Sequence, residues 1–228
     1  MSRYGIKCIK VGTLMKEAEE TPNTRLVELK KGFGIGGGSN VVLIEGEGRK
    51  ILVDTGYEFG SDRSEANVLL NRKSLELALA LKGFKPEDID TVFITHSHYD
   101  HFGNIGLFEG AEWAASRPVA DRMDDKRFNP LDDGEEICEG IRALYTPGHT
   151  EGHCSLIVED ETTTAIAGDA IVSIGYFDRG KLWNYNPDFF DYDTGLTSMA
   201  ILASSAEIII PGHGVPFGSY RPTWMNNA

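Results

Sequence analysis

Short apolar runs with polar punctuation alternate along the chain with longer stretches of helical spacing, a pattern that predicts interleaved strands and helices from end to end. Val27–Leu29, Asn40–Ile44 and Lys50–Val53 are brief β-branched runs set among glycines (Gly32, Gly34, Gly36 to Gly38, Gly46, Gly48), and read as antiparallel strands joined by tight turns. From Ser64 to Leu81 the spacing changes. Leu69, Leu70, Leu77 and Leu81 recur at helical intervals, no proline intervenes, and Gly83 followed by Pro86 supplies the stop. Strands are predicted at Thr91–Ile94, Trp113–Ala115, Ile137–Cys138, Ile141–Tyr145, Cys154–Val158 and Thr164–Ala167, the last two as a hairpin, then a helix at Leu196–Ala203 and a strand at Glu207–Ile210. Two segments lack a period. Residues 116–136 carry Asp121, Asp124, Asp125, Asp132 and Asp133 among Arg and Lys and read as a solvated loop or helix face. Residues 174–193 read as a loop excursion whose Tyr176, Phe177, Trp183 and Phe189 need burial against the body.

The chain has 228 residues, 41% of them hydrophobic and 25% charged, which fits one α/β domain over 1–228 with a core that needs no disulfide or metal staple. Lys+Arg is 22 against Asp+Glu 35, a net charge of −13 that repels phosphate backbones and anionic membrane surfaces, so nucleic acid is not an expected partner. No run approaches the ~18 apolar residues of a membrane span. Cys8, Cys138 and Cys154 form no C-x-x-C pair and read as reduced thiols, and Met1 to Lys7 holds no apolar leader; a cytoplasmic location is the expectation.

The strand at Thr91–Ile94 delivers the chain into Thr95-His96-Ser97-His98-Tyr99-Asp100-His101. Six histidines occur in the sequence and three fall within residues 96–101, a cluster that chance would produce in roughly a few chains per ten thousand. Imidazole and carboxylate are ligands for Zn²⁺, Fe or Mn. On an extended loop His96 and His98 share one side and suit one ion, while Asp100 and His101 lie further along and suit a second. Pro147-Gly148-His149 and Pro211-Gly212-His213 offer further ligands at sharp turns, and Asp169, after Ala167-Gly168, is a carboxylate that could bridge both ions. His153 reads as a hydrogen-bond partner rather than a ligand, Asp54 as a turn cap or the holder of a ligand histidine, and Cys154 as a small buried residue. Gly36 to Gly38 lacks the spacing and following lysine of a phosphate loop and reads as a turn.

Taken in order, Leu52-Val53-Asp54-Thr55-Gly56, the Thr95–His101 motif, Thr146-Pro147-Gly148-His149, Gly168-Asp169 and Pro211-Gly212-His213-Gly214 resemble the motifs of the metallo-β-lactamase-fold hydrolase superfamily. With Gly103–Phe108 and Ile210–Phe217, they look closest to the metallo-beta-lactamase domain-containing protein 1 group. The resemblance spans about residues 40 to 217 and implies an αββα sandwich with a metal site at one edge. Carried over position by position, it implies His96, His98 and His149 on a first ion, Asp100, His101 and His213 on a second, and Asp169 between them. The expectation is a binuclear metallo-hydrolase with two divalent ions per chain, zinc foremost and Fe or Mn as alternatives. Water shared by two cations ionises near neutral pH and attacks an ester-type substrate, a lactone, thioester or phosphodiester, with Asp100 as the catalytic carboxylate that orients the hydroxide or shuttles a proton to the leaving group. Net charge favours a small-molecule acyl substrate. The competing reading is a mononuclear iron persulfide dioxygenase on the same fold, and a third is a non-catalytic metal-stabilised module. Residues 174–193 follow Asp169 and so border the metal edge, which makes Tyr176, Arg179, Trp183 and Tyr185 candidate pocket residues; exposed aromatics there also fit a homodimer.

Overall fold

The computed structural model describes residues 2–13, 37–58 and 63–226. Twelve strands among them form two six-stranded sheets. The first has the order β1 (Tyr4–Lys10), β2 (Val41–Gly46), β3 (Arg49–Val53), β4 (Thr91–Ile94), β5 (Glu112–Ser116), β6 (Phe128–Leu131). The second runs β12 (Phe217–Gly218), β11 (Ile208–Pro211), β10 (Thr164–Gly168), β9 (Cys154–Val158), β8 (Ile141–Tyr145), β7 (Glu136–Cys138). Both are mixed: β3 through β6 pair in parallel, as do β10 and β11, and the remaining ladders are antiparallel.

Period-two alternation builds the layers. Val42, Ile44, Ile51, Val53 and Phe93 of the first sheet meet Ala143, Leu156, Val158, Ile166 and Ile210 of the second in one buried cluster. Their neighbours Val41, Leu43, Leu52, Val92 and Ile94 face the other way, onto Leu75 and Leu79 of α1 (Glu65–Ala80). On the far side Ile157, Ala165 and Ile209 pack against Phe177 of α4 (Ile174–Asp178) and Met199 and Leu202 of α5 (Tyr192–Ser205). The result is helix, sheet, sheet, helix, the layering that the motif resemblance implies. Each fully buried aliphatic side chain contributes about 1.5–3 kcal/mol.

Several expectations need correction. Segment 116–136 does carry a solvated helix face, with Asp121 exposed on α3 (Arg117–Met123), which the Ser116 hydroxyl caps; beyond the expectation, it also holds the edge strand β6 and buries Val119, Ala120, Phe128 and Leu131. The excursion 174–193 opens with α4, and Tyr176, Phe177 and Trp183 are buried as their composition demands. Helix α1 forms where predicted, yet Leu69, Leu70, Leu77 and Leu81, which reveal its period, are exposed; its inward residues are Asn71, Leu75 and Leu79. The Asn71 amide turns inward because it ties the backbone of Glu58 at 2.6 and 3.0 Å. The predicted strand Val27–Leu29 and the glycines 32, 34 and 36 lie outside the described residues. The helix predicted at Leu196–Ala203 starts four residues earlier, at Tyr192, because the Asp191 side chain caps it by accepting the Thr194 N–H at 2.8 Å.

The parallel pairs decide where chemistry can gather. Strands β3, β4, β8, β10 and β11 all end at one edge of the sandwich, so Asp54, the 95–101 segment that runs into the short helix α2 (Tyr99–Phe102), His149, Asp169 and His213 emerge side by side. Backbone bonds from Cys154 N to Thr95 O (2.9 Å) and from Asn40 N to Gly212 O (2.7 Å) join the two sheets at that edge.

Candidate metal centre

All seven candidate ligands converge, in two groups. His96, His98, His149 and Asp169 each offer a ligand atom within 4.8 Å of the others, and so do Asp100, His101 and His213. In the first group His96 Nε2 and His149 Nε2 each lie 2.9 Å from His98 Nδ1. In the second, Asp100 Oδ2 stands 3.7 Å from His101 Nε2 and 3.5 Å from His213 Nε2. Asp169 faces both: Oδ2 is 3.4 Å from His149 Nε2, while Oδ1 is 3.3 Å from His101 Nε2 and 3.4 Å from His213 Nε2.

Each ring is turned by a bond from its outer nitrogen, which points the inner nitrogen into its group. His101 Nδ1 donates to Asp54 Oδ2 at 2.7 Å, His149 Nδ1 to the Trp183 carbonyl at 3.0 Å and His213 Nδ1 to the Gly38 carbonyl at 2.9 Å. His96 Nδ1 meets the Thr95 hydroxyl at 3.1 Å, itself a donor to Asp54 Oδ2 at 2.8 Å, and His98 Nε2 meets Asp188 Oδ1 at 2.9 Å. Asp54 thus holds the candidate ligand His101, from a left-handed backbone (φ 57°) that an aspartate tolerates. Gly212 is required by close approach, because a Cβ there would stand 1.9 Å from Asp169 Oδ1.

His153 stays outside both groups. Its Nε2 accepts the Ala170 N–H at 3.2 Å and its Nδ1 meets the Thr146 hydroxyl at 2.9 Å, so neither nitrogen is left for a cation. Cys154 is a buried core residue whose thiol burial pushes up, and it touches none of the ligands. Of the candidate pocket residues, Tyr176 and Trp183 pack with Val172 in a buried cluster, Arg179 lies over the Tyr176 ring, and Tyr185 is exposed against Trp183. Sequence reasoning missed Asp188 and Asn186, which touch His98 directly. They sit in an aperiodic aromatic stretch, and nothing in their spacing marks them.

Burial pushes the His96 and His149 imidazoles down, His149 to about 4, and the neighbouring histidines add to the effect. Burial opposes the charged form at His101 and His213 too, but Asp169, joined by Asp100 and for His101 also by Asp54, outweighs it and both are pushed up. Asp169, although buried, is held well below the usual carboxylate range by His213 and His101. His101 Nε2 and Asp169 Oδ1 are buried and form no hydrogen bond among the described residues. Buried polar atoms are rarely left so, and a cation between imidazole nitrogens and carboxylate oxygens satisfies them.

The chain belongs to the metallo-beta-lactamase superfamily, whose sequence profile matches residues 34–213. Metallo-beta-lactamase domain-containing protein 1 of Mus musculus is 31% identical over 198 residues, covering 82% of this chain and 68% of the mouse protein. An N-acyl homoserine lactonase of Bacillus cereus is 29% identical over 143 residues, 52% of this chain and 57% of its own length. In fold, a Staphylococcus aureus structure described as a probable metal-dependent hydrolase superposes with a TM-score of 0.69 at 16% identity, covering 93% of this chain and 90% of the other. No helix among the described residues is long and apolar enough to cross a membrane.

Proposed function

We propose that this chain is a binuclear metal-dependent hydrolase that opens an ester-type bond in a small molecule, with a lactone as the leading substrate. The observation that carries the reading is Asp169, whose two oxygens face different ligand groups and one of which is buried without a hydrogen bond. His96, His98 and His149 would hold one divalent ion, Asp100, His101 and His213 the other, with Asp169 shared and zinc the preferred metal on this donor set. Bound there, the two ions supply a water ionised near neutral pH and a Lewis acid for the substrate oxygen.

The residues divide the remaining work. Asp169 is buried, with 6% of its side chain exposed, and spans the groups; Asp100 is 23% exposed and stands on the open side of the second group. Asp100 would therefore be the carboxylate that carries the second proton of the attacking water to the leaving oxygen, giving a hydroxy acid from a lactone. The rings hold still while this happens, because each outer nitrogen is tied. Relationship to a lactonase supports the acyl branch over the phosphodiester branch, and a net charge of −13 disfavours a polyanionic substrate.

The test is elemental analysis of the purified protein beside hydrolysis of an N-acyl homoserine lactone, a thioester and a phosphodiester. Two ions per chain with lactone turnover are expected, and Asp169→Ala should lose metal together with turnover, the latter by on the order of 10⁴-fold. One iron per chain, no hydrolysis and oxygen uptake with a persulfide would overturn the reading.

A further inference from the structure

His98 differs from the other four rings. They are buried to 2% exposure or less, whereas the His98 side chain is 14% exposed at the rim. What holds it is the stretch from Trp183 to Asp188, which carries none of the seven candidate ligands.

Three contacts do this. Asp188 Oδ1 takes the outer nitrogen of His98, Nε2, at 2.9 Å, which leaves Nδ1 turned toward His96 and His149. The Asn186 amide nitrogen lies 3.0 Å from Nδ1 and 3.1 Å from Nε2 of the same ring. Near-equal distances to both ring nitrogens put it over the face of the imidazole, because an in-plane position at that distance would collide with the carbon between them. Its orientation is set, since the Trp183 indole N–H donates to Asn186 Oδ1 at 3.0 Å and so turns the NH₂ toward the ring. The Trp183 carbonyl meanwhile accepts from His149 Nδ1. The second Asp188 oxygen is taken by Arg122 of α3 at 3.0 Å.

We propose that Trp183–Asp188 is a positioning clamp for the first ion, in which Asp188 sets the tautomer of His98 and Arg122 holds Asp188. The clamp rests on the binuclear reading above, and it makes retention of the first ion separable from that of the second. The bonds of Trp183, Asn186 and Asp188 go to His98, His149 and Arg122 on the side of the first group. The outer link, Arg122 to Asp188, is a rim ion pair with Arg122 54% exposed, so salt screens it.

Zn²⁺ affinity of the full chain, measured by competition with a chromophoric chelator, tests this without reference to turnover. Asp188→Ala should weaken one ion about 10–100-fold and leave the other unchanged. Asp188→Asn keeps an acceptor for the His98 Nε2–H and should recover much of that loss, a rescue that mere loss of loop structure would not give. Arg122→Gln should weaken the same ion less, and its difference from wild type should shrink in high salt. Unchanged affinity in Asp188→Ala, or equal weakening of both ions, overturns the clamp. A wild type that takes up a single ion overturns the binuclear reading instead, and the clamp is then decided by whether Asp188→Ala weakens that ion.

Discussion

The two candidate ligand groups both face Asp169 yet are held by opposite electrostatics. Around the first, the outer nitrogens of His96 and His149 meet a hydroxyl and a peptide carbonyl, and both rings are pushed down. Around the second, His101 is gripped by Asp54 on one side and faces Asp100 and Asp169 on the other; it and His213 are pushed up. A cation arriving at the first group finds His96 and His149 with lone pairs free. At the second it must first displace protons. The carboxylates that attract the ion there also attract its competitor.

The largest expected effect tests whether the groups are separable at all. Asp54→Ala removes the partner of His101 Nδ1, and the second ion should bind about 10–100-fold more weakly while the first is retained. The same change strips the Thr95 N–H and hydroxyl of their acceptor, at 2.9 and 2.8 Å, so stability should fall by about 1–3 kcal/mol. Chelator competition and thermal unfolding of the variant check both. Equal loss of both ions would show that Asp169 couples the groups more strongly than their separate supports divide them.

A smaller effect sharpens the comparison through pH. Raised values at His101 and His213 mean that protons persist there above the ordinary imidazole value of about 6.5. On acidification the second ion should therefore leave before the first, whose His96 and His149 are pushed down. Zinc counted per chain across a pH series should pass through a plateau near one. A single concerted release would break the distinction.

How much of this was legible depends on how local each signal is. Strand β4 and the loop behind it could be read because an apolar run ends abruptly in His96-Ser97-His98, and the ligand turns because glycine stands before His149 and His213. Strand β1 escaped because its alternation of Ile6 and Cys8 with Lys7 is broken by Gly5 and Ile9, and only pairing with β2 makes it a strand. Strand β6 contains Pro130, which an edge position tolerates but a sequence pattern discourages. Helix α3 announced itself by the Ser116 cap and Pro118, a signal outweighed by the surrounding charge. Asp188 and Asn186 were invisible for a different reason: their role exists only where the chain returns to His98 some ninety residues later.

His153 is where the comparison predicts the least change in metal and a clear change in stability. The ring joins the end of β8, through the Thr146 hydroxyl, to the Ala170 N–H just past Asp169, so it braces the edge without facing a cation. In His153→Ala the ion count should remain two, and stability should drop by about 1–3 kcal/mol for the Ala170 N–H left without its acceptor. Burial and the nearby His149 push His153 down, so its folded form favours the neutral ring. That contribution is present above the unfolded value of about 6.5 and is lost as pH falls toward the depressed folded value. The gap in unfolding temperature between metal-free wild type and His153→Ala should therefore be widest near neutral pH and narrow below about 6.5. A variant that loses one ion instead would move His153 from brace to ligand, and the two groups would no longer account for the whole centre.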